Sequence, residues 1–319
     1  MSALEDYLLA RYGGIDHPTA LASAPAASPL SIPTSPGSGE EAIHPSVVKF
    51  GSKWPDANGY LYWLALTPYP DNQRENPEIV ASDDGEAWEV PSGLTNPIDA
   101  SPGGSSDFNA DTCLFYDSSA DELWCYYLSD VSGSVTIHRR TSSDGTTWAA
   151  EEDVLSPTAT ELSPTVVKVS TTYYMWVVDT TNDDLVRYDS TDGATWGNRT
   201  VCTIDDIPWH IEVRYISSES TYLLLAQAGQ NQSNLYWWTS SDGTTFSFSS
   251  ACVLRAQASP AYGTKTAWDH EDYRATFWED GGTIEIWYSA HVIDAGVAPG
   301  DGGDWATGKA ADRALSDLV

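Results

Sequence analysis

Polar residues stand at the starts of several predicted strands in this sequence, and tryptophans are interleaved with them. Carboxylates can act as acid and base, and histidine and arginine can hydrogen-bond a bound ligand. Aromatic faces stack on the apolar faces of sugars while polar groups bind the hydroxyls. We therefore predict a carbohydrate site. The alternative is that these side chains only provide hydrogen bonds to strand ends in a water-filled channel. The predicted ligand-binding residues are His44, Asp111, Trp209, His210, Glu212, Trp268, His270, Asp272 and Arg274.

Three carboxylates are candidates for catalysis, namely Asp111, Glu161 and Glu212. Hydrolysis of a glycosidic bond needs one protonated and one ionised carboxyl group, roughly 5–10 Å apart across the sugar. Glycan binding without hydrolysis needs only hydrogen bonds and stacking. The residue types leave both interpretations open.

A seven-residue motif, Ser-x-Asp-Gly-x-x-Trp, recurs four times and indicates the framework that carries these residues, with Phe246 replacing the tryptophan in the last copy. Its glycines, at positions 85, 145, 193 and 243, recur at intervals of 60, 48 and 50 residues, near the length of a propeller blade. Asp-Gly favours a tight turn because glycine readily takes positive φ. The aromatic residue then opens a strand and packs on the neighbouring blade.

Five aromatic-rich segments, each preceded by a strand that starts at a polar residue, predict five inner hairpins. They lie at residues 60–64, 123–127, 173–177, 222–225 and 284–288. With the four turns, they predict an all-β, five-bladed β-propeller over residues 41–319. Trp305–Lys309 is the expected third strand of the last blade, and the N-terminal stretch is expected to supply the fourth.

Residues 1–40 are predicted to form a short N-terminal helix and an extended tether. Residues 3–12 have a short amphipathic helical pattern that ends at Gly13, and a Pro/Ala/Ser-rich stretch follows. Because so short a helix is unstable alone in water, we expect it to contact the propeller, a second copy in a homo-oligomer, or another protein.

The charge of the chain argues against several partners. It has 15 Lys+Arg against 46 Asp+Glu and a net charge of −31, so we expect no nucleic acid partner and no docking on anionic lipid. Carboxylates spread along the whole chain favour a high-salt source, with an ordinary acidic secreted protein as the alternative. The sequence contains no long apolar run, so we expect no membrane insertion. The first residues lack the pattern of a signal peptide.

The four cysteines, Cys113, Cys125, Cys202 and Cys252, do not have metal-ligand spacing. We therefore predict no metal ligands and no required cofactor. Cys113 and Cys125 fall on neighbouring predicted strands, where they either pair or remain buried thiols.

Residues 43–315 resemble the five-bladed propellers of arabinanase-, xylosidase- and fructosidase-type glycosidases. This resemblance implies a base, a pKa modulator and an acid at the central funnel, and in some relatives a cation in the channel. Asp111 matches the modulator and Glu161 is the nearest match to the acid, whereas His44 stands where the base is expected. The turn motif is similar to the Asp-box of sialidases but lacks one residue between Asp and Gly, and no arginine cluster accompanies it.

Residues 44–48, 62–69 and 75–77 also resemble propeller modules in structural proteins of tailed viruses. This similarity, the tether and the replaced base favour a virion surface protein of a halophilic host's virus. Its propeller would recognise a host surface glycan or glycoprotein outside the cell, and its N-terminal region would bind other virion proteins. The alternative is a glycoside hydrolase that acts on host surface polysaccharide. A purely architectural virion protein without a ligand is the second alternative.

Overall fold

The computed structural model describes residues 28–35, 41–69, 75–100, 107–227, 234–255, 271–291 and 305–318. Within them the chain forms nineteen β-strands in five antiparallel sheets, each built from consecutive strands. The predicted five-bladed propeller is therefore confirmed. The predicted helix at residues 3–12 lies outside the described residues. The helix that is described, Leu315–Asp317, is a single 3-10 turn, so no helix in these ranges is long enough to span a membrane.

The blades follow one another along the chain. Blade 1 contains β1 (Ala42–Trp54), β2 (Tyr60–Pro68) and β3 (Glu78–Ser82). Blade 2 contains β4 (Phe108–Asp117), β5 (Glu122–Val131), β6 (Ser134–Ser142) and β7 (Glu152–Leu155). Blade 3 contains β8 (Glu161–Val169), β9 (Thr172–Asp179), β10 (Asp184–Ser190) and β11 (Gly197–Val201). Blade 4 contains β12 (Ile211–Ile216), β13 (Thr221–Gln227), β14 (Asn234–Ser240) and β15 (Ser247–Arg255). Blade 5 contains β16 (Glu271–Asp280), β17 (Thr283–His291), β18 (Trp305–Lys309) and β19 (Arg313–Ala314).

The first strands of the five blades contact one another in a closed ring around the central channel. Side chains in this ring bond the backbone of the next blade. Ser46 accepts from Leu114 N at 2.9 Å, and Cys113 accepts from Val166 N at 3.3 Å. Thr165 and Thr276 bond Val213 N and Val47 N in the same way. These bonds identify equivalent positions, which we call the middle ring: Ser46, Cys113, Thr165, Glu212 and Thr276.

Two residues before the middle ring lies a second equivalent set, which we call the upper ring: His44, Asp111, Ser163, His210 and Arg274. In blades 1 to 3 its members have φ values of 54°, 56° and 56°, within irregular β-bulge pairing. Residues other than glycine rarely take this left-handed conformation, and bulges re-aim side chains at functional sites.

The Asp-Gly turns form one repeated hydrogen-bond pattern at the outer hairpins. In the first turn, Gly85 N donates to Ser82 Oγ at 2.9 Å, and Ala87 N donates to Asp84 Oδ1 at 2.8 Å. Each glycine packs on an aromatic side chain of the preceding blade around the ring. A Cβ on Gly145, for example, would lie 2.2 Å from Trp63. The turns therefore hold neighbouring blades together.

Blade 5 closes the propeller with help from the N-terminal segment. Trp305–Lys309 pairs with β17 as the third strand, as predicted. Leu30 N donates to Thr307 O of β18 at 2.8 Å, and Ser35 N donates to Glu78 Oε2 of β3 at 3.0 Å, so residues 28–35 run from blade 5 to blade 1. Cys113, Cys125 and Cys202 are buried free thiols, so Cys113 and Cys125 do not pair.

Candidate functional site

The upper ring gathers one side chain from each blade at one end of the channel. His44, Asp111, His210 and Arg274 are all nearly inaccessible to solvent. Ser163 N donates to Asp111 Oδ2 at 2.9 Å, and the rings of His44 and His210 lie 4.9 Å apart. Four of these five residues belong to the predicted ligand-binding set; Ser163 does not.

Asp111 is the centre of this group. Its Oδ1 atom lies 3.1 Å from Nη1 of Arg274 and 3.3 Å from Nδ1 of His210. Nε2 of His44 lies 3.6 Å from the same oxygen. Burial alone raises the pKa of Asp111, but these three basic neighbours outweigh it and lower the pKa to about 2. Asp111 is therefore ionised at neutral pH.

The imidazole of His44 is oriented by two polar side chains. Its Nδ1 atom lies 2.7 Å from Thr67 Oγ1 and 3.1 Å from Glu75 Oε2. The Thr67 hydroxyl also donates to Glu75 Oε2, at 3.0 Å. These acceptors favour the tautomer with the proton on Nδ1, which leaves the Nε2 lone pair facing Asp111.

His210 is a buried neutral imidazole. Burial lowers its pKa to about 3, although Asp111 acts in the opposite direction. Within the described part of the chain, neither of its ring nitrogens has a hydrogen-bond partner, and the same holds for Nε2 of His44. An unpaired buried polar atom costs about 1–3 kcal/mol, so a ligand that engages these nitrogens is favoured.

These residues fit a divalent transition metal ion. One ligand atom each from His44, Asp111 and His210 lies within 4.8 Å of the others. Two imidazoles and a carboxylate are a donor set of catalytic zinc sites, in which a further position stays open for water or substrate. The contact of Glu75 with Nδ1 of His44 is the arrangement that fixes metal-binding histidines. The sequence predicts no metal ligands because no local spacing of donors requires one, whereas these three donors come from three separate blades.

An aromatic wall borders the two histidines. The ring of Tyr273 lies 4.4 Å from that of His210 and 4.9 Å from that of Trp305. Trp209, a predicted site residue, donates through Nε1 to the Tyr273 hydroxyl at 3.3 Å. Such a wall suits the apolar face of a sugar. Tyr273 and Trp305 were not predicted, although Tyr273 directly precedes Arg274 in the sequence.

The other predicted carboxylates lie in different surroundings. Glu212 belongs to the middle ring, where burial raises its pKa and Arg214 Nη2 contacts its Oε1 at 2.8 Å. Glu161 forms a separate group in blade 3, bound to the Tyr188 hydroxyl at 2.9 Å and to Arg199 Nε at 3.0 Å.

Three further predicted residues stand near the end of the chain. Asp272 is buried two positions before Arg274, and its backbone carbonyl accepts a bond from Gln227. Trp268 and His270 lie outside the described residues.

Comparison with known proteins gives one significant curated relative and many similar structures. No protein-family model matches the sequence. An A type blood N-acetyl-α-D-galactosamine deacetylase from Flavonifractor plautii is 29% identical over an alignment that covers 79% of this chain and 40% of that protein. The chain therefore spans about two fifths of the length of this relative.

Two solved structures illustrate the shared fold. The N-acetylgalactosamine deacetylase from F. plautii, in complex with blood group B trisaccharide, superposes with a TM-score of 0.76 at 24% identity, over 94% of this chain and 97% of that one. The catalytic domain of a GH62 α-L-arabinofuranosidase from Coprinopsis cinerea gives a TM-score of 0.68 at 14% identity, over 92% and 98% of the two chains.

These comparisons contradict the expectation of a virion surface structural protein. The curated relative modifies a carbohydrate, and similar structures include several glycoside hydrolases. The sequence suggests that His44 replaces a catalytic base, whereas in the structure it joins Asp111 and His210 in one group of potential donors. The expected high-salt source and extracellular location stay predictions. The chain has the five-bladed propeller fold of glycoside hydrolase type.

Proposed function

We propose that this protein is a hydrolase that removes the acetyl group from an N-acetylated amino sugar, with a divalent metal ion held by His44, Asp111 and His210. One observation carries the proposal: the three side chains form a buried group in which Nε2 of His44 and both ring nitrogens of His210 have no hydrogen-bond partner within the described residues. The deacetylase activity for which the curated relative is named supports it.

Each side chain of the site has a separate role in the proposed reaction. A divalent metal would polarise the acetamide carbonyl and lower the pKa of a bound water. Asp111 supplies the negative charge of the donor set, and Arg274 holds its carboxylate in place. Glu75 and Thr67 keep the proton of His44 on Nδ1.

The aromatic wall of Trp209, Tyr273 and Trp305 supports a sugar as the carrier of the acetamide. Aromatic rings next to polar groups bind pyranoses by stacking and hydrogen bonding together. A glycan that contains N-acetylgalactosamine is the first substrate to test, because the curated relative is named for that sugar.

Glycoside hydrolysis is the second candidate, and one observation favours it. Asp111 has a lowered pKa and Glu212 a raised one, the combination that acid and base catalysis on a glycosidic bond requires. Each carboxylate, however, is already bound by an arginine: Asp111 by Arg274, and Glu212 by Arg214. Deacetylation requires Asp111 as an ionised carboxylate, which is its state beside Arg274, so we favour deacetylation.

The two reactions release different products. We expect purified protein to release acetate from an A-type blood-group oligosaccharide without shortening the glycan. A chelator should stop the release, and added zinc or manganese should restore it. Release of a monosaccharide without acetate would contradict deacetylation and favour the glycosidase.

A further inference from the structure

The opposite end of the central channel contains a cavity of about 240 Å³. Its wall includes a third equivalent set of residues from the first strands, which we call the lower ring: Val48, Phe115, Val167, Arg214 and Trp278. Each lies four positions beyond its counterpart in the upper ring, on the same face of its strand. Four strand residues span about 13 Å, so the cavity is distinct from the His44–Asp111–His210 group.

A buried ion pair separates the two ends. Arg214 Nη2 lies 2.8 Å from Glu212 Oε1 and donates to Val47 O at 2.6 Å. Glu212 belongs to the middle ring, and Arg214 reaches from blade 4 to Val47 O of blade 1. The pair therefore lies between the upper ring and the cavity. A molecule in the cavity therefore contacts a different set of residues from one at the metal-ligand group.

The two cations that line the cavity are both neutralised by the protein itself. Arg214 pairs with Glu212, and Lys168 Nζ lies 2.9 Å from Asp117 Oδ2. Glu279 also lines the cavity, and its Oε1 atom accepts from Gly282 N at 2.7 Å, so the wall carries a negative charge that disfavours an anionic ligand.

The remaining wall combines aromatic surface with uncommitted hydroxyl groups. Phe115 and Trp278 are half-buried against the cavity, and the guanidinium of Arg214 lies over one face of the Trp278 ring, 4.7 Å from its centre. Tyr215 and Ser217 also line it, and within the described residues their hydroxyls form no hydrogen bond. The volume is below the roughly 300–1,000 Å³ of pockets for drug-sized molecules, so it suits one small ring.

We propose that this cavity binds one neutral pyranose and is a second carbohydrate site on the opposite face of the propeller. Aromatic faces would cover the apolar side of the sugar, and the Tyr215 and Ser217 hydroxyls would bind its hydroxyl groups. Two sites on opposite faces let one molecule hold two glycan chains, which raises the effective concentration of each. This second site is independent of the residues proposed for deacetylation.

Calorimetric titration with three related probes tests the proposal: methyl galactoside, which is neutral, galacturonate, which is anionic, and galactosamine, which is cationic. We expect the wild type to bind the neutral probe more tightly than galacturonate, which the carboxylate of Glu279 repels. Ser217→Trp, at the exposed rim, should weaken this binding by about tenfold or more, since the indole fills the cavity. The matched control is Ser218→Trp, an adjacent exposed residue that does not line the cavity.

Two further measurements keep the test decisive. Tyr215→Phe removes one hydroxyl and should weaken binding by about threefold to tenfold, whether or not Ser217→Trp folds. His210→Gln should leave binding at the cavity unchanged, and Ser217→Trp should leave acetate release unchanged. The proposal is overturned if the neutral probe does not bind, if galacturonate binds more tightly, or if both cavity variants bind like the wild type.

Discussion

The guanidinium of Arg274 donates to the carboxylate of Asp111 at 3.1 Å, across 163 residues of sequence and from blade 5 to blade 2. Its second terminal nitrogen donates to Thr112 O at 2.7 Å. Both charged side chains are buried, so each neutralises a charge that would otherwise lack compensation. Removing one member of such a pair typically costs about 3–5 kcal/mol.

We therefore expect Asp111→Asn to lower the free energy of unfolding by about 3 kcal/mol and to abolish acetate release. The double variant Asp111→Asn/Arg274→Met should recover part of the lost stability, because it no longer buries an unpaired guanidinium, and should remain inactive. Urea denaturation measures the stability, and an acetate assay measures the activity. An Asp111→Asn protein with wild-type stability and activity would refute the central position of this residue.

The two histidines should determine metal affinity. Replacing either His44 or His210 with glutamine is expected to weaken zinc binding by more than about 100-fold, because a direct donor is lost. His138→Gln is the matched control, since His138 is a buried histidine of blade 2 that bonds Ser129 at 2.7 Å. Calorimetry with zinc chloride compares the three. Equal affinity in all three variants would rule out the proposed metal site.

Glu75 and Thr67 should act through the orientation of His44. Glu75→Gln and Thr67→Val are each expected to weaken zinc binding by about 10–100-fold, although both variants keep every direct donor. Glu89→Gln, which changes an exposed carboxylate bound to Tyr60, is the control. If Glu75→Gln binds zinc as tightly as Glu89→Gln, the carboxylate does not orient the imidazole.

Glycine at the outer turns should be required for space as well as for conformation. Gly145 has a φ of 74°, and an added Cβ would lie 2.2 Å from Trp63. Gly133 has a similar φ of 84° but open space around the same position. Gly145→Ala should therefore lower the melting temperature by several degrees more than Gly133→Ala. Equal losses would show that conformation alone explains the glycine.

The turn aspartates should make stability fall in acid. Backbone N–H groups of Thr195 and Ala194 lower the pKa of Asp192 from 3.8 to about 2. A carboxylate with a lowered folded-state pKa stabilises the fold above about pH 3.8, and this stability is lost as the pH falls towards 2. Asp192→Asn keeps an acceptor oxygen but cannot titrate.

Melting temperatures between about pH 2 and pH 7 test this expectation. Asparagine at Asp192 and its three counterparts, Asp84, Asp144 and Asp242, should make the acid limb of the curve shallower. Asp312→Asn, an exposed aspartate outside the turns, is the control. Identical acid limbs in the wild type and the fourfold variant would be evidence against the pairing of these carboxylates with backbone N–H groups.

The blade count could be predicted because each Asp-Gly turn is a local structure. Its hydrogen bonds join residues two or three positions apart, as in the bonds of Gly85 and Ala87, so a short motif contains all that is needed. Polar residues at strand starts also stood out in the sequence, which brought His44, Asp111, His210 and Arg274 into the predicted set.

The relations within the site depend on which strands become neighbours. Glu75 orients His44 from the loop before β3, and Tyr273 reaches both histidines from blade 5. No local spacing reveals such contacts. Glu161 and Glu212 are both candidate catalytic residues from the sequence, yet of the two only Glu212 occupies the middle ring. The grouping of His44, Asp111 and His210 could not be predicted for the same reason, since a motif search finds residues on one segment.

The upper ring couples the chemistry of this end of the channel to the closure of the propeller. Each of its five positions belongs to a different blade, and several of its side chains also join blades. Ser163 Oγ accepts from Ile211 N of blade 4 at 3.0 Å, and Asp111 of blade 2 pairs with Arg274 of blade 5. An exchange at one of these positions therefore changes the donor set and the contact between two blades together.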